Sequence, residues 1–221
     1  MEINKFWLRT LGILGILGGI VLLSGDLLFY FDPVNTDLKA NMGSATDIRI
    51  IMSAITALFA TWFYVLGVGQ VYYAFKPSST IVRNTVVITF AAILIAYGVI
   101  HGAYVAIATT AKLSVQNDID METATALASK TNNILRLFVY PFFAVLTVVF
   151  ITQVWKKKTL YPRWIIAFFP IIPFLFRGLF NKFLTGGTWI IFVGGFFNLI
   201  LILFFIASTI ALWNTNNKNK N

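Results

Sequence analysis

The sequence predicts an all-α, polytopic membrane helix bundle with six transmembrane helices and both termini cytoplasmic. Three observations carry this. Of 221 residues, 58% are apolar and 11% charged, against roughly 45–50% and about 25% in a soluble domain. The apolar residues gather in runs that reach the roughly 20 residues a helix needs to cross a hydrocarbon core of about 30 Å. The basic residues favour one side of the topology these runs define. Residues 1–213 read as a single membrane domain, and the Asn- and Lys-rich residues 214–221 as a disordered cytoplasmic tail.

The first run, 6–31, follows Lys5 and Arg9. It is too long for a signal peptide, and Asp26 stands after Leu22-Leu23-Ser24-Gly25 where a lipobox needs cysteine. It therefore reads as an uncleaved span. The second run covers 48–75, the third 82–110 and the fourth 134–155. Residues 161–213 form one long apolar block, interrupted by Arg177, Lys182 and a Thr185-Gly186-Gly187 turn. It has room for spans five and six; the alternative is one span plus a re-entrant segment. Polar loops fall at 32–47 and 112–133, and residues 118–130 suit a surface helix with aspartate at its start.

Lys5, Arg9, Lys76, Arg83, Lys156, Lys157, Lys158, Arg163, Lys218 and Lys220 lie on one side, ten of the 17 basic residues. Glu2 is the only acid there. The positive-inside rule places that face in the cytoplasm, against anionic lipid headgroups. With this topology the expected location is a bacterial inner membrane. The basic loops are too short to build a nucleic-acid groove, so no nucleic-acid partner is expected.

Composition also excludes chemistry. There is no cysteine and one histidine, so disulfides, thiolate sites and three-histidine metal centres are out, and no metal or cofactor is expected. No P-loop, Rossmann fingerprint or nucleophile elbow occurs, nor a pair of intramembrane carboxylates. Nothing in the sequence establishes an enzyme.

What remains is a set of polar residues within apolar runs, each costly in hydrocarbon. Asp26 lies about 22 Å along span one, counted from Leu11 at 1.5 Å per residue. It shares a face with Gly15 and Gly19, a close-packing pair. His101 lies in the outer third of span three, with Tyr97 and Tyr104 on its face and Gly98 and Gly102 beside it. Arg136 opens span four, with Tyr140 one turn deeper, and Arg177 follows Pro170 and Pro173 in span five. Asp26, His101, Arg136 and Arg177 come from four spans yet fall at one depth. The expected arrangement is an Asp26–arginine pair with one arginine to spare. The surplus guanidinium suits an anionic or amphiphilic ligand, walled by Tyr97, Tyr104 and Tyr140. A salt-bridge network that only holds the bundle together is the competing reading.

Gly25-Asp26 and His101-Gly102, in a six-span chain of this length, resemble families of small bacterial integral membrane proteins of unknown function. The resemblance implies an architecture and no activity. The expectation is an outward-facing polar pocket that binds or transports an anionic or amphiphilic molecule. The alternatives are an accessory subunit packed against a membrane-protein partner, and an enzyme acting on lipid headgroups through His101 and Asp26. The latter needs those two side chains within hydrogen-bond reach.

Overall fold

The computed structural model describes residues 4–214, and the described residues are helical with no strand among them. All but the first residue of the expected tail, 214–221, lies outside them. Short polar side chains open the helices. Asn4 caps α1 (Lys5–Tyr30) by accepting from the Phe6 N–H at 3.1 Å. Asp37 accepts two backbone N–H groups at the start of α2 (Leu38–Ser44), at 3.0 and 3.1 Å. After α3 (Asp47–Ala74), Ser79 caps α4 (Thr80–Asn117). Asp120 caps α5 (Met121–Leu137), accepting from Thr123 N–H at 2.8 Å. Each cap satisfies donors that a helix start leaves without partners.

Helix α4 has 38 residues, about 57 Å at 1.5 Å each. It therefore runs past the apolar stretch 82–110. The loop helix begins as its aspartates predict but continues to Leu137 and leads directly into α6 (Tyr140–Trp155), with Pro141 in the first turn. A proline is tolerated there because its missing N–H has no helical partner in any case. Together α5 and α6 form one 35-residue unit.

The expectation of six spans is only partly met. Among the described residues, α1, α3, α4 and the α5–α6 unit are long and apolar enough to cross a membrane. A helix pair bent by 59°, Gly186–Gly194 with Phe196–Leu212, makes a fifth if it is counted as one. The block 161–213 does not form two continuous helices. It folds as a 3-10 turn (Arg163–Phe168), α7 (Ile171–Phe174), α8 (Arg177–Phe183), α9 (Gly186–Trp189), a π turn (Ile190–Gly194) and α10 (Phe196–Leu212). Pro162, Pro170 and Pro173 remove backbone donors and clash with the preceding turn, so no continuous helix forms here. Gly186, at φ +54°, closes the turn before α9, where a side chain would meet Pro33 O at 2.7 Å.

The helices pack through glycines. A Cβ on Gly67 of α3 would lie 2.6 Å from the Gly15 Cα of α1, so the two backbones touch. A Cβ on Gly15 would sit 2.3 Å from the Phe205 ring, and one on Gly19 2.4 Å from Ile202, both on α10. Gly98 meets Thr61 of α3 in the same way. Gly102 is a correction to the expected small-residue ridge: nothing lies within 4 Å of where its Cβ would be. Phe75, Phe90, Phe150, Phe169, Phe204 and Phe205 fill the core, with the Phe150 and Phe169 rings stacked at 4.3 Å. At the end carrying the termini, Leu160 N–H donates to Ala74 O at 2.8 Å, and Arg9 to Trp213 O at 3.0 Å. The opposite end holds the cavity.

Candidate functional site

The site is built where α1, α3 and α4 converge. Asp26 is on the α1 face that also carries Leu22, Gly19 and Gly15, so close helix packing turns it inward. Its neighbour Gly25 lets α3 approach. A Cβ there would lie 2.0 Å from Thr56 Oγ1 and 3.2 Å from His101 Nε2. The gap lets Ser53 reach across and donate its hydroxyl to Gly25 O at 2.6 Å.

His101, on α4, is 4% exposed and has both ring nitrogens engaged. Nδ1 lies 2.9 Å from Asp26 Oδ1. Nε2 lies 2.9 Å from Ser53 Oγ and 3.2 Å from Ser53 O. The proton positions follow from the partners. The Ser53 hydroxyl is spent on Gly25 O, and a backbone carbonyl only accepts. Nε2 must therefore carry a proton and donate. Nδ1 thus meets the Asp26 carboxyl group directly. Asn198, at the start of α10, donates to the other Asp26 oxygen at 2.6 Å.

Ser53, His101 and Asp26 thus stand in the order of a nucleophilic triad. The proton arrangement is the wrong one. Ser53 is fully buried and directs its proton away from the histidine, and Nε2 is a donor with no lone pair to receive it. The distance from His101 to Asp26 meets the geometric requirement of the enzyme reading, while the Ser53 hydroxyl points to Gly25 O rather than to the histidine.

The arginines do not pair with Asp26, which corrects the expected Asp26–arginine bridge. Among the described residues, the acidic partners go elsewhere: Lys39 pairs with Glu122, and Lys112 with Asp47. Arg49 caps α1 instead, donating to Leu28 O at 2.9 Å. Arg136 is aimed by neutral groups. Its Nε donates to Asn132 Oδ1 at 3.1 Å, one turn back on α5, and its guanidinium donates to the Tyr104 hydroxyl. Asn132 is itself fixed by donating to Ile100 O at 2.9 Å. Arg177 opens α8 and donates to Val193 O at 3.1 Å, within the π turn. Such turns free backbone groups for partners of this kind.

One cavity of about 290 Å³ joins these groups. Asp26, His101, Arg136, Arg177, Tyr97, Tyr104 and Tyr140 all line it, so the residues singled out from sequence meet in one space. Tyr30, Trp189 and Asn198 complete the polar lining, and Phe197 stacks on Tyr97 at 3.9 Å. Ser53 and Asn132 were not singled out from sequence. Asn132 carries a local signal, four residues before Arg136 on the same helix face. Ser53 carries none, since it is one hydroxyl in a long apolar helix and only the close approach at Gly25 gives it meaning.

Fold and site together define an all-helical protein, with several helices long and apolar enough to cross a membrane, enclosing a cationic cavity at one end. The chain belongs to the family of unknown function DUF6796, whose model matches residues 1–216. No curated protein and no solved structure matches the chain.

Proposed function

We propose that the protein is an integral membrane protein that binds an anionic small molecule in this cavity, for retention or transport. One observation carries the reading. Arg136 and Arg177 line a single cavity, and among the described residues neither has a carboxylate partner. The one acid lining the cavity, Asp26, is engaged by His101 and Asn198 instead. Half-buried Arg136 and exposed Arg177 line a space walled by aromatic rings, and charges at membrane depth are rare without a partner or a function. Guanidinium forks match carboxylates and phosphates in two-point contact. The tyrosines offer hydroxyls and apolar ring faces to the remainder of the guest.

The π turn and the proline-broken stretch give the cavity one wall that is not a regular helix. Irregular backbone inside a membrane is tolerated where it lines a cavity. The charge bias of the loops orients the cavity away from the cytoplasm, in a bacterial inner membrane with both termini inside.

The test is mass spectrometry of what co-purifies with the chain extracted in native lipid. The expected outcome is an anionic species retained by the wild type and lost from an Arg136→Ala, Arg177→Ala double variant that still elutes as a single folded peak. Equal retention by the double variant, or a retained species with no acidic group, overturns the reading.

A further inference from the structure

Beside the cationic cavity runs an apolar groove of about 260 Å³, lined on α4 by Ala92, Ala96, Val99 and Ile100. On the α5–α6 unit, Leu135, Phe138, Val139 and Phe142 face it. The two sets are helical stripes at spacings of three and four residues, and the alanines on α4 leave the gap between them. Ile100 lines both groove and cavity. On the other helix, groove and cavity residues sit next to each other in sequence. Leu135 and Val139 face the groove, Arg136 and Tyr140 the cavity. The apolar trough and the guanidinium therefore lie on adjacent faces of one helix.

We infer that the ligand is an amphiphile with a phosphate- or carboxylate-type head and a single hydrocarbon chain, its head at Arg136 and Arg177 and its chain in the α4–α6 groove. This rests on the anion-binding reading above and adds the chain. Its geometry has a direction. The groove begins at the level of Arg136, with Ile100 against Leu135, and ends at Ala92 and Phe142. That is eight residues along α4, about 12 Å. It therefore leads from the charged end of the bundle toward its middle, the course a lipid chain takes from its headgroup. Half-exposed Phe142 and largely exposed Phe138 form the outer lip, so the chain can enter sideways without the head crossing an apolar layer. A free inorganic anion would use the arginines and leave the groove without a purpose. A membrane lipid with an uncharged head would use the groove and leave the arginines without a counter-charge.

The experiment is a titration of the full chain in a neutral detergent, with adducts read by native mass spectrometry. The probes are inorganic phosphate, hexyl phosphate, dodecyl phosphate and dodecyl maltoside. The expected result is affinity that rises from inorganic to hexyl to dodecyl phosphate, by about fourfold for each methylene buried, which corresponds to about 0.8 kcal/mol. Ala96→Phe, which fills the groove, should flatten that series and leave inorganic phosphate binding unchanged. The series on the unaltered chain stands by itself if the variant does not fold. If all three phosphates bind equally, the chain assignment fails while the anion-binding reading survives. If dodecyl maltoside binds as well as dodecyl phosphate, the groove holds bulk lipid and the inference is overturned. If no phosphate binds, both readings fall.

Discussion

The molecule builds two buried polar networks on the same helix, one near each end of α1, and they differ in what they leave unfinished. Near the termini, Gln70 of α3 donates to Leu8 O at 3.1 Å and to Thr209 at 3.4 Å. It accepts from Ser208 at 2.7 Å, and Ser208 meets the Tyr161 hydroxyl at 2.6 Å. Gly12 makes the room, since a Cβ there would lie 2.3 Å from the Gln70 amide. At the other end Gly25 makes room for Ser53, Thr56 and His101. Both networks depend on a glycine of α1 that lets α3 come close. The Gln70 network is built of uncharged groups, and Gln70, Ser208, Thr209 and Tyr161 are all buried. The Asp26–His101 network holds an acid and opens into a cavity beside two arginines that, among the described residues, have no carboxylate partner. The first has the form of a scaffold, a fully satisfied network that fixes helix register. The second has the form of a site, because it borders a cavity lined by two guanidiniums that lack a carboxylate among the described residues.

The largest effect expected from this contrast concerns packing. Gly15→Leu must push into the Phe205 ring and the α3 backbone, where interiors do not yield. The folded chain should be lost, read as aggregation on size exclusion. Gly102→Leu, at the cavity end, meets open space and should change stability by no more than about 0.5 kcal/mol. A similar loss from both would show that the Gly102 side of α4 is covered in the membrane.

Next in size is the closed network. Gln70→Ala leaves a carbonyl and two hydroxyls buried without their partner, at a cost of about 1–3 kcal/mol, measured as a fall in Tm. Asn198→Ala removes one donor from an Asp26 oxygen that borders the cavity, where water can replace it. Its cost should be about 0.5–1.5 kcal/mol. If Asn198→Ala proves the more damaging, the cavity is dry and the contrast between the networks is wrong.

The smallest effect concerns the rim. Asp32 accepts from the backbone N–H groups of Asn35 and Val34 at 2.7 and 2.8 Å. Those bonds, Asn35 first, hold its carboxyl below its ordinary value near 3.8. The folded form therefore gains from the ionised carboxylate above that value, and the gain is lost as pH falls below it through the lower folded value. The same loop accepts Gly187 N–H on Pro33 O at 2.8 Å, which ties it to the turn before the π segment. Acidification below pH about 4 should loosen this rim before the core. Hydrogen exchange at Val34 and Asn35 should rise ahead of that in α3. Asp32→Asn should remove the pH dependence of that exchange.

The apolar runs are directly legible in the residue order, because burial in hydrocarbon is a sum over neighbouring residues. The same order also brought Asp26, His101, Arg136 and Arg177 to one end, because depth along a helix is counted at 1.5 Å per residue. Partner choice was less accessible. Opposite charges suggest an Asp26–arginine bridge, yet the carboxylate pairs with His101 and Asn198, and Arg136 turns to Asn132 and Tyr104. The prolines of 161–213 were visible, but whether they kink a span or break it depends on what the freed carbonyls find nearby.

By itself, then, the sequence determined an all-helical chain with several helices long and apolar enough to cross a membrane, and a band of polar groups gathered toward one end. These are local properties, fixed by run length and periodicity. The tertiary structure decided which polar groups touch, that Ser53 belongs with His101, that the fifth apolar stretch breaks, and that two arginines face a cavity with no carboxylate partner among the described residues. Those outcomes turn on separations of about an ångström between helices far apart in sequence, such as the approach over Gly25, and only the packed bundle sets them.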